Sequence, residues 1–99
     1  MSQNKINAAL QYLPLKGNTD PYEAVDQVIG QIHESGLPYN VCPFETVVEG
    51  TTEECLNLIK SILESGKGDE VTEFLLNVKF HVIPGKDVAM LDKTSPYDR

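Results

Sequence analysis

The sequence predicts an α+β fold: a ferredoxin-like βαββαβ sandwich in which two helices cover one face of a four-stranded antiparallel sheet. Three observations predict it. Helix-start signals stand at Asp20 and Thr51, each following a segment of alternating polarity, and two short extended segments meet in a tight hairpin between the helices. The longest alternating run of the chain follows the second helix.

Taken in order, residues 5–13 (KINAALQYL) alternate, with Ile6, Ala8, Leu10 and Tyr12 on one side and Asn7, Ala9, Gln11 and Leu13 on the other. Pro14 to Thr19 reads as a turn. Asp20-Pro21-Tyr22-Glu23 then supplies an N-cap, a proline at the first helical position and a capping-box acid. Tyr22, Val25, Val28, Ile29 and Ile32 recur at helical spacing until Ser35-Gly36-Leu37-Pro38 ends the run. Tyr39 to Phe44 and Thr46 to Glu49 read as two short strands, with Pro43 interrupting the ladder between them. Thr51 and Glu54 form a second capping box ahead of Cys55, Leu56, Ile59, Ile62 and Leu63, and this helix stops at Ser65-Gly66. After a Gly66-Lys67-Gly68 connector, Val71 to Ile83 alternates, Phe74, Leu76, Val78, Phe80 and Val82 opposing Glu73, Leu75, Asn77, Lys79 and His81. Right-handed crossovers put the first and third strands in the centre of the sheet. Residues 84–99 form a polar C-terminal arm with a small apolar cluster at Val88 to Leu91, read as one helical turn or an extended arm of the same single domain.

With the more apolar side of each strand assigned to the helices, the other face is left open. It carries Asn7, Gln11, Glu45, Glu49, Asn77, Lys79 and His81 beside Ala9, Leu13, Val47 and Leu75. Such a mixed surface serves either as an interface with another copy or as a wall for a ligand with a few fixed polar contacts. Its most unusual part is Pro43 to Gly50, where Glu45 and Glu49 fall on one face of an extended segment that β-propensity would make apolar. The glutamates are either a hydrated sheet face or a carboxylate site for an amine or a cation.

Composition narrows the functional classes. Eight scattered basic residues and a net charge of −7 argue against a phosphate-backbone partner, so no nucleic acid is expected. The chain has no apolar run of membrane-spanning length and no basic-then-apolar N-terminus, which reads as a cytoplasmic protein without a membrane partner. Cys42 and Cys55 lack metal-ligand or redox-motif spacing and read as reduced structural thiols, so no metal is expected, and without a Gly-rich phosphate loop or dinucleotide fingerprint no cofactor is expected. His33 and His81 neighbour no nucleophile in a catalytic pattern. Glu45 and Glu49, four apart on a strand, are separated by roughly 13 Å of backbone, too wide for paired-carboxylate hydrolysis. The chain is therefore not expected to be an enzyme.

Ala9-Leu10-Gln11-Tyr12-Leu13-Pro14-Leu15, Ser35-Gly36-Leu37-Pro38-Tyr39 and Thr46-Val47-Val48-Glu49-Gly50 together resemble the YkoF-like thiamine/hydroxymethylpyrimidine-binding protein family, from about residue 6 to residue 83. The resemblance implies a ferredoxin-like protomer in a homodimer or homotetramer and, in some members, binding of thiamine or its hydroxymethylpyrimidine moiety. Glu49 and Gly50 occupy the family's strand-end motif, and Tyr12-Leu13-Pro14 its first-strand motif. The ending departs from the family, since the tail from Pro84 contains Pro96 and lacks a clear long helix. An aminopyrimidine suits the residues: a carboxylate accepts from the exocyclic amine, and Gln11 or Asn77 supplies both donor and acceptor. Tyr12, Tyr39 or Phe44 can stack on the ring or take a cation on its π face. The candidate ligand-binding set is thus Glu49, Glu45, Gln11, Thr46, Asn77 and Tyr12. The expected function is non-catalytic binding as carrier or sensor, the alternative being a self-associating module with no small ligand. In that alternative, Lys79 pairs across strands with Glu45 or Glu49.

Overall fold

A computed structural model describes residues 4–65 and 70–97. The strands are β1 (Ile6–Lys16), β2 (Tyr39–Val41), β3 (Thr46–Gly50) and β4 (Glu73–His81), and the helices are α1 (Pro21–Glu34), α2 (Thr52–Glu64) and α3 (Met90–Thr94), followed by a 3-10 turn at Ser95–Tyr97. All neighbouring strands are antiparallel in the order β2-β3-β1-β4, so β1 and β3 are central as the crossover rule requires.

Both long helices start where side chains satisfy their orphan donors. Asp20 accepts from the Tyr22 N–H at 2.8 Å with Pro21 behind it. The Thr51 hydroxyl accepts from the Glu54 N–H at 3.2 Å, while the Glu54 carboxylate accepts from the Thr51 N–H at 2.9 Å. That backbone bond, helped by the Thr51 hydroxyl and by Lys5, holds the Glu54 carboxyl below its ordinary range. Gly36 takes a positive φ of 77° just past α1, the left-handed conformation that ends a helix.

The core lies between the sheet and α1 and α2. Ile6, Ala8 and Leu10 of β1 and Val48 of β3 meet Val28 and Ile32 of α1 and Cys55, Leu58 and Ile62 of α2. Burial pushes the Cys55 thiol up, and the neighbouring Glu54 carboxylate adds to the shift, so Cys55 is a protonated core residue. The helical stripes differ in detail from the sequence expectation. Tyr22, Leu56 and Leu63 are exposed, and Ala24 and Leu58 take the buried positions.

Several strand limits also differ. β1 continues through Pro14 to Lys16, where a turn was expected, and the ladder explains why a proline is tolerated there. The Glu49 N–H donates to the Pro38 carbonyl, so Glu49 faces β2 and Val48 faces β1. Ala8, opposite Val48, then faces β3, and Leu10, Tyr12 and Pro14 follow at period two. Since β3 reaches only as far as Leu10, the N–H that Pro14 lacks would point to an unpaired edge. β2 is shorter than expected, ending at Val41. Residues 42–45 are the hairpin loop, closed by the Cys42 N–H donating to the Glu45 carbonyl at 2.8 Å, so Cys42 and Glu45 are not strand residues. β4 keeps only the middle of the predicted Val71–Ile83 run, and the Gly66-Lys67-Gly68 connector lies outside the described residues.

Candidate functional site

The face away from α1 and α2 is not wholly open. The chain turns at Pro84-Gly85 and lays the C-terminal arm across one end of it. Hydrogen bonds to the strands hold it there. The Val88 N–H donates to the Lys5 carbonyl at 2.9 Å, tying the arm to the residue just before β1. Asn7, only 2% exposed, donates through Nδ2 to the Val88 carbonyl at 2.9 Å and accepts through Oδ1 from Lys93 Nζ at 2.9 Å. The Glu49 carboxylate accepts from the Met90 N–H at 2.7 Å, satisfying an orphan donor of the short helix α3. An asparagine in a central strand is costly unless both ends of its amide are engaged, and here the arm engages both.

The arm makes one wall of a cleft of about 380 Å³. Strand register arranges its floor in cross-strand rows, since directly paired residues share a face. The first row is Asn7 and His81, with Glu49 paired to Asn7 just outside the lining, and the second is Val47, Ala9 and Lys79, with Asn40 beyond Val47. Glu45 stands past the second row at the hairpin, beside Cys42. Ala9 and Val47 give the middle of the floor a small apolar patch, and Met90, Lys93 and Thr94 close the side toward the arm. Lys79 reaches back over Ala9 to Glu45, Nζ to carboxylate oxygen 3.7 Å, with the lysine largely exposed. Such a pair contributes less than about 1 kcal/mol and opens readily. The cleft is therefore zwitterionic, a carboxylate at the hairpin end and ammonium groups along the β4 and arm sides.

Of the six residues put forward from the sequence, Glu45 alone lines this cleft. Glu49 adjoins it but is engaged by Met90. Gln11 and Asn77 face the same side one row below and bond each other, Asn77 Nδ2 donating to Gln11 Oε1 at 3.2 Å. Thr46 is buried on the helix side opposite Leu10. Tyr12 lies on that side too, its ring 4.9 Å from that of Phe74, and burial raises its pKa. Neither reaches the cleft, because the period of two turns both away from Glu45. Asn40, Cys42, Met90, Lys93 and Thr94 were missed. Asn40 was findable from the hairpin register, whereas the arm residues carry no periodic signal. Replacing Glu49 with glutamine is expected to leave the fold intact and loosen the arm by about 1 kcal/mol, because a neutral amide accepts more weakly than a carboxylate. Hydrogen exchange at the Met90 and Val88 amides measures this, with a rise of roughly fivefold expected.

Among the described residues no helix is long and apolar enough to cross a membrane, and no group of three or more His, Cys, Asp or Glu is placed to hold a metal ion.

The fold and the cleft place the protein among ferredoxin-like α+β domains that carry a small-molecule-sized cavity on the face opposite their helices. Comparison with known proteins makes this specific. The chain belongs to the family described as thiamine-binding protein, whose profile matches residues 8–98. It is 32% identical over 77 residues to a UPF0045 protein of Clostridium perfringens, covering 74% of this chain and 81% of that one. Among solved structures, it resembles a Thermotoga maritima protein named for thiamine biosynthesis or salvage, with a TM-score of 0.82, 26% identity, and coverage of 95% of this chain and 99% of that one. A Streptococcus pneumoniae protein is 35% identical with a TM-score of 0.75, over 92% of this chain and 98% of that one. A Bacillus cereus domain of unknown function shares the fold at a TM-score of 0.88 and 24% identity, over 97% and 92% of the two chains. Membership of that family supports a thiamine-related binding role.

Proposed function

We propose that the protein binds thiamine or its hydroxymethylpyrimidine moiety in the cleft over Ala9 and Val47, without chemical turnover, as a cytoplasmic carrier or sensor. The observation that carries this reading is a small apolar floor with a loosely paired carboxylate, Glu45, at one end. A flat ring rests on Ala9 and Val47. Glu45 exchanges Lys79 for the exocyclic amine of the pyrimidine or for the thiazolium charge, and the Asn40 amide offers a donor and an acceptor beside it. Binding without catalysis is supported by the surroundings of the nucleophile and bases. Cys42 Sγ contacts the Asn40 carbonyl at 3.9 Å, and His33 Nδ1 is 2.9 Å from the Tyr39 hydroxyl on the opposite side of the sheet. His81 lines the cleft with Cys42 but stands two rows along and three strands across from it, so none of these arrangements pairs a nucleophile with a base.

The part of the face left uncovered by the arm keeps Leu13 and Leu75 beside the Gln11–Asn77 amide pair, and Leu75 is 51% exposed. That surface fits assembly into a homodimer or homotetramer, with the cleft at the margin of the contact.

Calorimetric titration with thiamine and with hydroxymethylpyrimidine is the test. Glu45→Gln is expected to weaken either ligand about tenfold, about 1.4 kcal/mol. Absence of heat and of thermal shift with both ligands at millimolar concentration would remove the proposal.

A further inference from the structure

The charges around the cleft do not match a purely cationic ligand. The chain carries a net charge of −7, yet two lysines, Lys79 and Lys93, line this cavity against one lining carboxylate, Glu45, while the adjoining Glu49 carboxylate is engaged by the Met90 N–H. Lys79 is paired with Glu45. Lys93 is not: ion pairs among the described residues involve Lys5, Lys16 and Lys79, and the Lys93 ammonium bonds the neutral amide oxygen of Asn7. An ammonium has three donors, so the bond to Asn7 orients Lys93 and leaves two donors for something else. Asn7, buried and held from its other end by Val88, is a rigid post for that orientation. His81 is the direct cross-strand neighbour of Asn7, and Thr94 follows Lys93 on the arm, so an imidazole, a hydroxyl and an ammonium belong to the same end of the cleft.

We propose that this end is an anion subsite and that the preferred ligand is a phosphate monoester of the heterocycle, its phosphoryl group on Lys93, His81 and Thr94 and its amine or cationic ring toward Glu45. The inference rests on the binding role proposed above and adds to it the ligand's charge pattern. Spacing supports it. The Asn7–His81 row and Glu45 are separated by two row intervals of the sheet, roughly 13 Å, with the apolar floor between them. An elongated ligand with opposite charges at its two ends fits that order: carboxylate, apolar floor, ammonium. An unphosphorylated thiazolium would leave Lys93 without a counter-charge and would carry a like charge into a cavity that already holds two lysines. Lysine suits the role as a mobile point charge for phosphate.

The test is titration of the full chain with thiamine, thiamine monophosphate and inorganic phosphate, for the wild type and for Lys93→Gln and Lys93→Arg. The monophosphate is expected to bind at least tenfold more tightly than thiamine, with the advantage shrinking as salt is raised. Lys93→Gln should bring the ratio of the two affinities close to one, and Lys93→Arg should restore most of it. Phosphorus NMR with inorganic phosphate should show line broadening that Lys93→Gln removes. Equal affinities in the wild type, or a ratio unchanged in Lys93→Gln, would overturn the subsite while leaving the thiamine-binding role standing. Phosphate broadening that depends on Lys93, with no binding of thiamine or its ester, would uphold the anion subsite and overturn that role. Circular dichroism and the thermal midpoint check that each variant is folded. If Lys93→Gln is unfolded, His81→Gln replaces it with the same expected drop in ratio.

Discussion

Ala9→Phe is expected to abolish binding of thiamine and of its phosphate ester, by at least roughly a hundredfold, while the thermal midpoint stays within a few degrees of wild type. Ala9 is the centre of the cleft floor, flanked by Val47 on one side and Lys79 on the other. A benzyl group there fills the space a ligand ring would use. The fold tolerates it because the position faces away from the α1 and α2 core and because aromatic residues suit a pleated, half-buried surface. Calorimetry for binding and differential scanning for stability separate the two effects. Wild-type affinity in a folded Ala9→Phe protein would move the site off this face.

Ile62→Ala is expected to have the opposite profile: a large loss of stability with no specific effect on the site. Ile62 is completely buried among residues of the sheet and of both long helices. Removing its outer carbons loses their transfer free energy and leaves a cavity in a close-packed interior, costing about 3 kcal/mol. In a domain of this size that lowers Tm by roughly 15 °C. Denaturant titration should show a lower midpoint at unchanged slope. Ligand affinity per folded molecule should change little, because Ile62 lies beneath the sheet and the cleft above it.

These outcomes depend on parts of the molecule that were unequally legible in the sequence. The sheet order and the two faces of β1 were legible because alternation fixes which residues share a side, and Asn7, Ala9 and Gln11 fall where their spacing puts them. The Thr51–Glu54 capping box was legible because its signal is local. Residues whose placement depends on distant partners were not. Pro14 looks like a strand terminator until one knows that β3 stops opposite Leu10. Residues 88–94 have neither helical nor strand periodicity. Their position is set by the amide of Asn7 and the carboxylate of Glu49, so one wall of the cleft was hidden from a reading of patterns. Glu45 was found for its charge even though its backbone is loop rather than strand. The attention first given to Glu49 was justified by a different role, since it anchors the arm that forms the cleft wall.

The arm has a temporal consequence as well as a spatial one. The Asp87 carboxylate accepts from the Lys5 N–H, Asn7 donates to the Val88 carbonyl and Lys93 donates to Asn7, contacts spanning 82, 81 and 86 residues of sequence. Contacts of such separation carry the largest loop-closure cost and form late unless a prior structure holds their ends together. The βαββαβ sandwich is that prior structure. The arm is therefore expected to dock on a sheet face that has already formed, so that competence to hold a ligand trails the acquisition of the fold.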